Sequence, residues 1–311
     1  MMRAATLTLN PCLDKTMYFD RSFRAGELNR CTDSIITLGS KGVNVSRFLG
    51  LFGIEATAFG FCGGDTGEQM KKMLDCEGVS YNFTNTEAPT RMNIKLIDSD
   101  GVCTEANEKG GPIKEEELDR LITDVEKFVT GGEYFFLGGS VPYPIEKSVY
   151  KLLITKLKNK GARVISDCDG QALKSSLEAK PYMIKPNLFE LSGLCGAEIK
   201  TTEEACEWTK RIYKQTGVEI LCTLSEKGAI YCGEKGVYSV NSPQVTLRGF
   251  TGAGDSFLAS FVYMLDKTDD VEESLRFASS AAAAKVEMPG SLLPKKEDTF
   301  KYKDSLTVIR R

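Results

Sequence analysis

Residues 3–9 alternate as a strand does, and beyond residue 43 the apolar positions Val45, Phe48, Leu49 and Phe52 fall at helical spacing before Gly53. The period then switches repeatedly along the chain. A strand is expected over 54–61, a helix capped by Asp65 through Leu74 and stopped at Gly78, and a strand over 79–84. Further on, the pattern predicts helix 115–129, strand 134–137, helix 145–159, strands 163–167 and 182–185, helix 203–215 and strand 219–224. A hairpin over 229–240 turns on Gly233-Glu234-Lys235-Gly236, and helices over 255–265 and 271–286 follow. Strands alternating with helices predict an α/β fold, with a mainly parallel sheet and helices on both faces.

Two stretches, 16–38 and 90–107, break this alternation. In the second, Met92, Ile94 and Leu96 alternate with Arg91, Asn93 and Lys95, and Ser99-Asp100-Gly101 supplies a turn. A small outlying β-sheet accounts for both. Inserted after the first strand and again near residue 90, it would cover the carboxyl ends of the main strands, where open α/β sheets bind ligands. It is expected to act as a lid, with segments at about 12–38 and 88–107.

Composition narrows the chemistry more than the fold. The 311 residues are 41% hydrophobic and 27% charged, enough for one large α/β domain with a small attachment. Forty basic against forty-three acidic side chains leave a formal charge of -3, which offers no footprint for nucleic acid or an anionic membrane. No apolar run has the length of a membrane span, and the N-terminal residues form a strand-like stretch instead of a signal pattern, so a cytoplasmic protein is expected. Its ten cysteines contain no Cys-x-x-Cys pair and are expected to be reduced thiols. The count of histidine is zero, which excludes imidazole bases, His-based zinc sites and Ser-His-Asp triads. Proton transfer falls to carboxylate, lysine, cysteine or tyrosine.

The strongest local signal is Gly249-Phe250-Thr251-Gly252-Ala253-Gly254-Asp255, followed by an amphipathic helix carrying Phe257, Phe261, Met264 and Leu265. A glycine-rich turn opening a helix surrounds an anion with backbone N–H groups and places the positive end of the helix dipole behind it. An aspartate there repels the anion the turn attracts, unless it serves as a base: Asp255 would take the proton of an incoming hydroxyl while the Ala253 and Gly254 amides stabilise a transferring phosphoryl group. A tight turn with Asp255 as a helix cap explains the same residues equally well.

Three further segments share this ambiguity. Leu38-Gly39-Ser40-Lys41-Gly42-Val43-Asn44 is a second glycine-rich turn into a helix, where Lys41 and the turn amides would bind an anion and Asn44 a sugar hydroxyl; it is also an ordinary loop. Asp14, in Asn10-Pro11-Cys12-Leu13-Asp14 after the first strand, would accept from sugar hydroxyls or simply occupy a solvated turn. In Lys185-Pro186-Asn187-Leu188-Phe189-Glu190, Asn187 and Glu190 share a helical face, spaced either to meet a hydrated Mg²⁺ or to form a capping box.

Taken together and in order, these motifs resemble the ribokinase-like carbohydrate kinases of the phosphofructokinase B family, most closely its 1-phosphofructokinase and tagatose-6-phosphate kinase branch. The resemblance runs through Thr8-Leu9-Asn10-Pro11 with Asp14, Gly26-Glu27-Leu28-Asn29-Arg30, Lys41-Gly42-Val43-Asn44-Val45, Thr90-Arg91-Met92-Asn93, Thr104-Glu105, Gly139-Ser140-Val141-Pro142, Lys185-Pro186-Asn187 with Glu190, and Gly252-Ala253-Gly254-Asp255.

It implies a ribokinase-like three-layer α/β/α fold over 1–311 with a β lid, and transfer of a phosphoryl group from ATP with Mg²⁺. Asp255 would be the base and Gly252, Ala253 and Gly254 the anion hole. Asp14, Asn44 and the turn Gly39, Ser40, Lys41 would hold the sugar, and Arg30, Lys41 and Arg91 its existing phosphate, with Asn93 and Ser140 completing the pocket. Lys185, Asn187, Glu190, Thr223, Ser225, Gly228, Thr251, Gly252 and Gly254 would line the nucleotide site, with Glu190 reaching the metal through water. The expected reaction converts fructose 1-phosphate to fructose 1,6-bisphosphate, with tagatose 6-phosphate as the nearest alternative acceptor. An unphosphorylated sugar or nucleoside as acceptor, or a non-catalytic sugar-phosphate sensor, stands further off. A homodimer through the lid is implied as well. The sequence departs from the family pattern at Ser40 and Ser225, where glycine is usual, and at Phe250-Thr251, where Thr-Val is usual.

Overall fold

The computed structural model describes residues 2–249 and 251–311. The strands run β1 (Ala4–Thr8), β2 (Cys12–Tyr18), β3 (Asp33–Leu38), β4 (Ala56–Cys62), β5 (Tyr81–Asn85), β6 (Arg91–Ile97), β7 (Cys103–Asn107), β8 (Tyr134–Gly138), β9 (Arg163–Asp167), β10 (Met183–Ile184), β11 (Glu219–Thr223), β12 (Ala229–Gly233), β13 (Gly236–Val240) and β14 (Val308–Arg310). The helices are α1 (Lys41–Leu51), α2 (Gly64–Glu77), α3 (Glu115–Phe128), α4 (Val149–Asn159), α5 (Gly170–Glu178), α6 (Leu188–Cys195), α7 (Thr202–Thr216), α8 (Ala253–Thr268) and α9 (Val271–Val286). No helix among the described residues is long and apolar enough to cross a membrane.

Ten strands form the main sheet in the order β14-β13-β12-β11-β10-β9-β8-β1-β4-β5, parallel from β11 to β5 and antiparallel from β11 to β14. Helices cover both faces, which is why β1 is buried along its whole length. On one side Ala5, Leu7 and Phe135 pack against α3 to α7 through Leu121, Leu153, Leu173, Leu191 and Ile212. On the other, Ala4, Phe136 and Leu221 meet α1, α8 and α9 through Phe48, Phe261 and Phe277. The chain passes from β1 to opposite sides of the sheet at β4 and β8, so β1 marks the switch point where a crevice opens.

A separate four-stranded sheet, β3-β2-β6-β7, rises over that crevice. β2 and β6 run parallel with Asp14 opposite Asn93, and the β6–β7 turn closes on Gly101, whose φ of 77° is left-handed. A small apolar cluster of Leu13, Leu38, Val43, Met70 and Leu74 anchors this sheet to α1 and α2.

The structure corrects four local expectations. Gly63, not Asp65, caps α2, and Asp65 sits inside the first turn. Helix α4 begins at Val149, because turns occupy 145–148. Helix α8 is longer than expected at both ends. Helix α5 escapes the periodicity because half its buried face is serine: Ser175 and Ser176 lie inward beside Ala172 and Leu173, and Ser176 donates to the Ala172 carbonyl at 2.8 Å.

Candidate functional site

The carboxyl ends of β1, β8, β9, β10 and β11 and the first turns of α1 and α8 converge beneath the lid sheet. Gly252 precedes α8 with a φ of 83°, and a side chain built on it would come within 3.4 Å of Lys285 Cε and 3.6 Å of Asn44 Nδ2. Those are ordinary van der Waals contacts, so it is the backbone angle that favours glycine there. Asp255 follows in the first turn of α8 and is buried. Its Oδ2 accepts from Asn44 Nδ2 at 2.8 Å. Burial, reinforced by the nearby Asp167 carboxylate, pushes the Asp255 carboxyl up to about 6. Asn44, expected at a sugar hydroxyl, thus lies directly against Asp255.

Asp167 closes β9 beside it and binds two lysines. Lys41 Nζ donates to Oδ1 at 2.6 Å, and Lys185 Nζ lies 3.2 Å from Oδ2 as an ion pair without a well-directed hydrogen bond. Burial opposes the charge on Asp167, but Lys185 and Lys41 outweigh it and hold its carboxyl below the ordinary aspartate range. Lys41 and Lys185 therefore meet at one carboxylate, on the two sides of Asp167.

On the lid side, Asp14 is buried and accepts from Asn93 Nδ2 at 3.1 Å and from Lys95 Nζ at 3.0 Å. Lys95 also contacts the Thr251 hydroxyl, so it joins the lid to the turn before α8. Arg91 donates to Asn93 Oδ1 at 2.9 Å and to the backbone carbonyls of Asn10 and Glu108. Asn10 Nδ2 in turn donates to the Ser140 hydroxyl at 3.1 Å. A side chain on Gly39 would come within 2.8 Å of both Asp14 Oδ1 and Cys12 Sγ, which explains glycine at that place. Ser40 follows with a φ of 86°, a backbone that β-carbons disfavour, and its hydroxyl accepts from the Cys12 amide at 2.7 Å.

On the other side of Gly254 lies a cavity of about 830 Å³ lined by Thr223, Ser225, Gly228, Val245, Phe257 and Ala283, among others. Ser225 has a φ of 54°, so it shares with Ser40 a positive φ that glycine adopts more readily. Asn187 and Glu190 form a reciprocal capping box at the start of α6: Asn187 Oδ1 accepts from the Glu190 amide and Glu190 Oε2 from the Asn187 amide, each at 2.8 Å.

The profile of the pfkB family carbohydrate kinases matches residues 7–298. The chain belongs to the pfkB family. It is 33% identical to the 1-phosphofructokinase of Bacillus subtilis over 90% of this chain and 91% of that protein. Phosphofructokinase-2 from Escherichia coli, solved in complex with substrates and products, superposes with a TM-score of 0.92 at 27% identity, covering 98% of this chain and 99% of that one. The ribokinase of Arabidopsis thaliana, at 21% identity and a TM-score of 0.76, shares the ribokinase-like fold.

For a pfkB family kinase the expected residues divide unevenly. Asp14, Gly39, Ser40, Arg91, Asn93 and Ser140 gather beneath the lid, and Gly252, Ala253, Gly254 and Asp255 sit beside them with Asn44, Lys41 and Lys185. Arg30 does not join them. It lies exposed in the loop between β2 and β3, with no hydrogen bond or ion pair among the described residues. Phe250 lies outside the described residues. A divalent metal fits the donors present only as an ion held mainly by water and ligand phosphates: no cluster of three carboxylates or thiols exists among the described residues, and Glu190 keeps one oxygen outside its capping box. Burial raises the Glu190 carboxyl, partly offset by Lys41.

Four residues of the site were not foreseen. Asp167 could have been found as an acid at a strand's carboxyl end, and Lys95 as the polar-face partner of Asn93. Arg47 and Lys285 carry no such signal, because each is a charged residue on a helix that the sequence places at the surface. In the structure both are buried behind the Gly252 turn, where Lys285 Nζ donates to the Gly290 carbonyl at 2.9 Å and Arg47 Nη1 to that of Ser291 at 2.9 Å.

Proposed function

We propose that this chain transfers the γ-phosphoryl group of ATP to fructose 1-phosphate, giving fructose 1,6-bisphosphate and ADP. The observation that carries the reading is the position of Asp255, buried at the start of a helix between a polar pocket under the lid and a nucleotide-sized cavity. Asp255 takes the acceptor proton, the hydroxyl oxygen forms its bond to phosphorus, and the bond to the ADP oxygen breaks. The Ala253 and Gly254 amides and the start of α8 stabilise the charge on the moving group. Arg91 and Lys41 are the cations for the phosphate already on the sugar, and Asp14 and Asn93 orient its hydroxyls.

Lys185, Thr223, Ser225, Gly228 and Thr251 serve the nucleotide, and Glu190 would hold Mg²⁺ through water. When bound, that ion would supply positive charge against the phosphates. Residues 1–311 work as one cytoplasmic kinase domain, with the lid strands excluding water from ATP. The outer face of the lid carries Met17, Ile36, Ile94 and Leu96 half-exposed, which suits a homodimer through that sheet.

ADP release measured across fructose 1-phosphate, fructose 6-phosphate, tagatose 6-phosphate, fructose, ribose and adenosine tests the reading. The highest kcat/KM is expected with fructose 1-phosphate. A higher value with tagatose 6-phosphate would move the assignment to that acceptor, and turnover only with unphosphorylated compounds would remove the role given to Arg91.

A further inference from the structure

Behind the base lies a chain of contacts that reaches from the surface to Asp255. Glu77, at the end of α2, accepts from Arg47 Nε at 2.6 Å and from Nη2 at 2.7 Å, a bidentate pair in which the arginine is almost wholly buried and the glutamate one-third exposed. The remaining nitrogen, Nη1, donates to the Ser291 carbonyl at 2.9 Å and to Asn44 Oδ1 at 3.3 Å. Asn44 then donates through Nδ2 to Asp255 Oδ2.

A guanidinium only donates. Whatever side of the Asn44 amide faces Arg47 must therefore be its oxygen, which leaves the nitrogen for Asp255 and removes the usual freedom of an asparagine to present either end. We propose that Arg47, held by Glu77, is a positioning residue for the transfer step, fixing the Asn44 amide so that Asp255 meets a donor and stands unprotonated toward the acceptor hydroxyl.

The consequence follows from the alternative. With Arg47 gone, Asn44 is free to rotate and bring Oδ1 against the carboxylate, an arrangement compatible only with a protonated Asp255. The other charged groups facing Asp255 do not replace this control: Asp167 favours its proton, while Lys41 and Lys185 oppose it. Lys285 on α9 also faces Asp255, and its own charge is opposed first by burial and then by Arg47 and Lys95.

The inference rests on Asp255 being the base. The test is the pH profile of kcat for the full chain with ATP, Mg²⁺ and fructose 1-phosphate. Arg47→Met should move the acid limb up by about half a unit or more, as loss of a donor to a carboxylate does. KM for both substrates should stay within about twofold, because binding is not what Arg47 controls. Glu77→Gln, which weakens the anchor but leaves Arg47 facing Asn44, should lose stability with the limb in place. In a double-mutant cycle with Asn44→Ala, Arg47→Met should add no further shift. If Arg47→Met does not fold, Arg47→Lys, which cannot serve Glu77 and Asn44 together, is read in the same way. An Arg47 variant that loses turnover or stability while its limb stays at the wild-type pH overturns the proposal. Asp255→Asn separates the two claims: near-normal turnover in that variant removes the base itself, whereas an inactive Asp255→Asn beside an unmoved Arg47 limb removes only the relay.

Discussion

Two buried aspartates face the same crevice and are driven in opposite directions. Asp255 meets a neutral amide as its nearest donor, and burial with the neighbouring Asp167 pushes its carboxyl up to about 6. Asp167 meets two ammonium groups directly and is held below the ordinary aspartate range. Separation of this kind is how one site assigns different work to like groups. On the proposed function, the carboxylate poised near neutrality would exchange a proton, and the one locked in its charged form would gather cations for phosphate. The difference comes from which element delivers which partner: α1 gives Asn44 to one and Lys41 to the other, three residues apart.

The largest effect should come from exchanging the base. Asp255→Asn is expected to lower kcat by about 10²–10⁴-fold, the usual contribution of general base catalysis, with the ATP KM little changed. Stability should move the other way. A carboxyl raised in the folded state makes the wild type lose stability as pH rises from its ordinary value of 3.8 through about 6, and the amide escapes that loss. Urea unfolding at pH 8 should therefore find the variant more stable by on the order of 1–3 kcal/mol, with the gap closing below pH 4. Equal stability at both pH values would contradict the perturbed carboxyl.

Asp167→Asn should show the opposite sign. Removing the partner of two buried lysines is expected to destabilise the protein by about 2–4 kcal/mol at pH 7. Because the Asp167 carboxyl is depressed, its contribution is present above its ordinary value of 3.8 and disappears as pH falls below it. Thermal unfolding at pH 7 and pH 3.5 measures that closing gap. If Asp167→Asn and Asp255→Asn shift stability in the same direction at neutral pH, the two carboxylates do not differ as described.

How much of this could be read from the sequence follows the same division. Alternation of strand and helix, the lid and the turn at Gly252 were legible because periodicity and glycine placement are local properties. The capping box at Asn187 and Glu190 was legible too, though spacing alone could not separate it from a metal site. What spacing could not supply was pairing across the fold. Lys41 and Lys185 meet at Asp167 only because β9 lies beside β10 and opposite the start of α1. Arg47 and Lys285 look like surface charges on amphipathic helices, and only the packing of α1, α8 and α9 around the 286–291 loop buries them. Arg30 went the other way: its motif pointed to the site, and the loop that carries it stays exposed.

The smallest expected effect tests a feature of the sugar side, where strain rather than charge distinguishes this chain. Ser40 holds a φ of 86° and a ψ of 138°, a backbone suited to glycine, yet its hydroxyl accepts from the Cys12 amide at 2.7 Å. Two opposing terms meet at one residue: backbone strain of about 1–3 kcal/mol and a hydrogen bond worth about 1 kcal/mol. Two substitutions separate them. Ser40→Ala keeps the β-carbon and the strain but loses the bond, so it should destabilise by about 1 kcal/mol. Ser40→Gly loses both and should unfold at a urea concentration equal to or above that of the wild type. The difference between the variants is the strain itself, and Ser40→Gly falling below Ser40→Ala would show that none is stored there. The same pair reads specificity: without the β-carbon the turn regains backbone freedom at its positive φ, so discrimination between fructose 1-phosphate and tagatose 6-phosphate in kcat/KM should fall in Ser40→Gly and persist in Ser40→Ala.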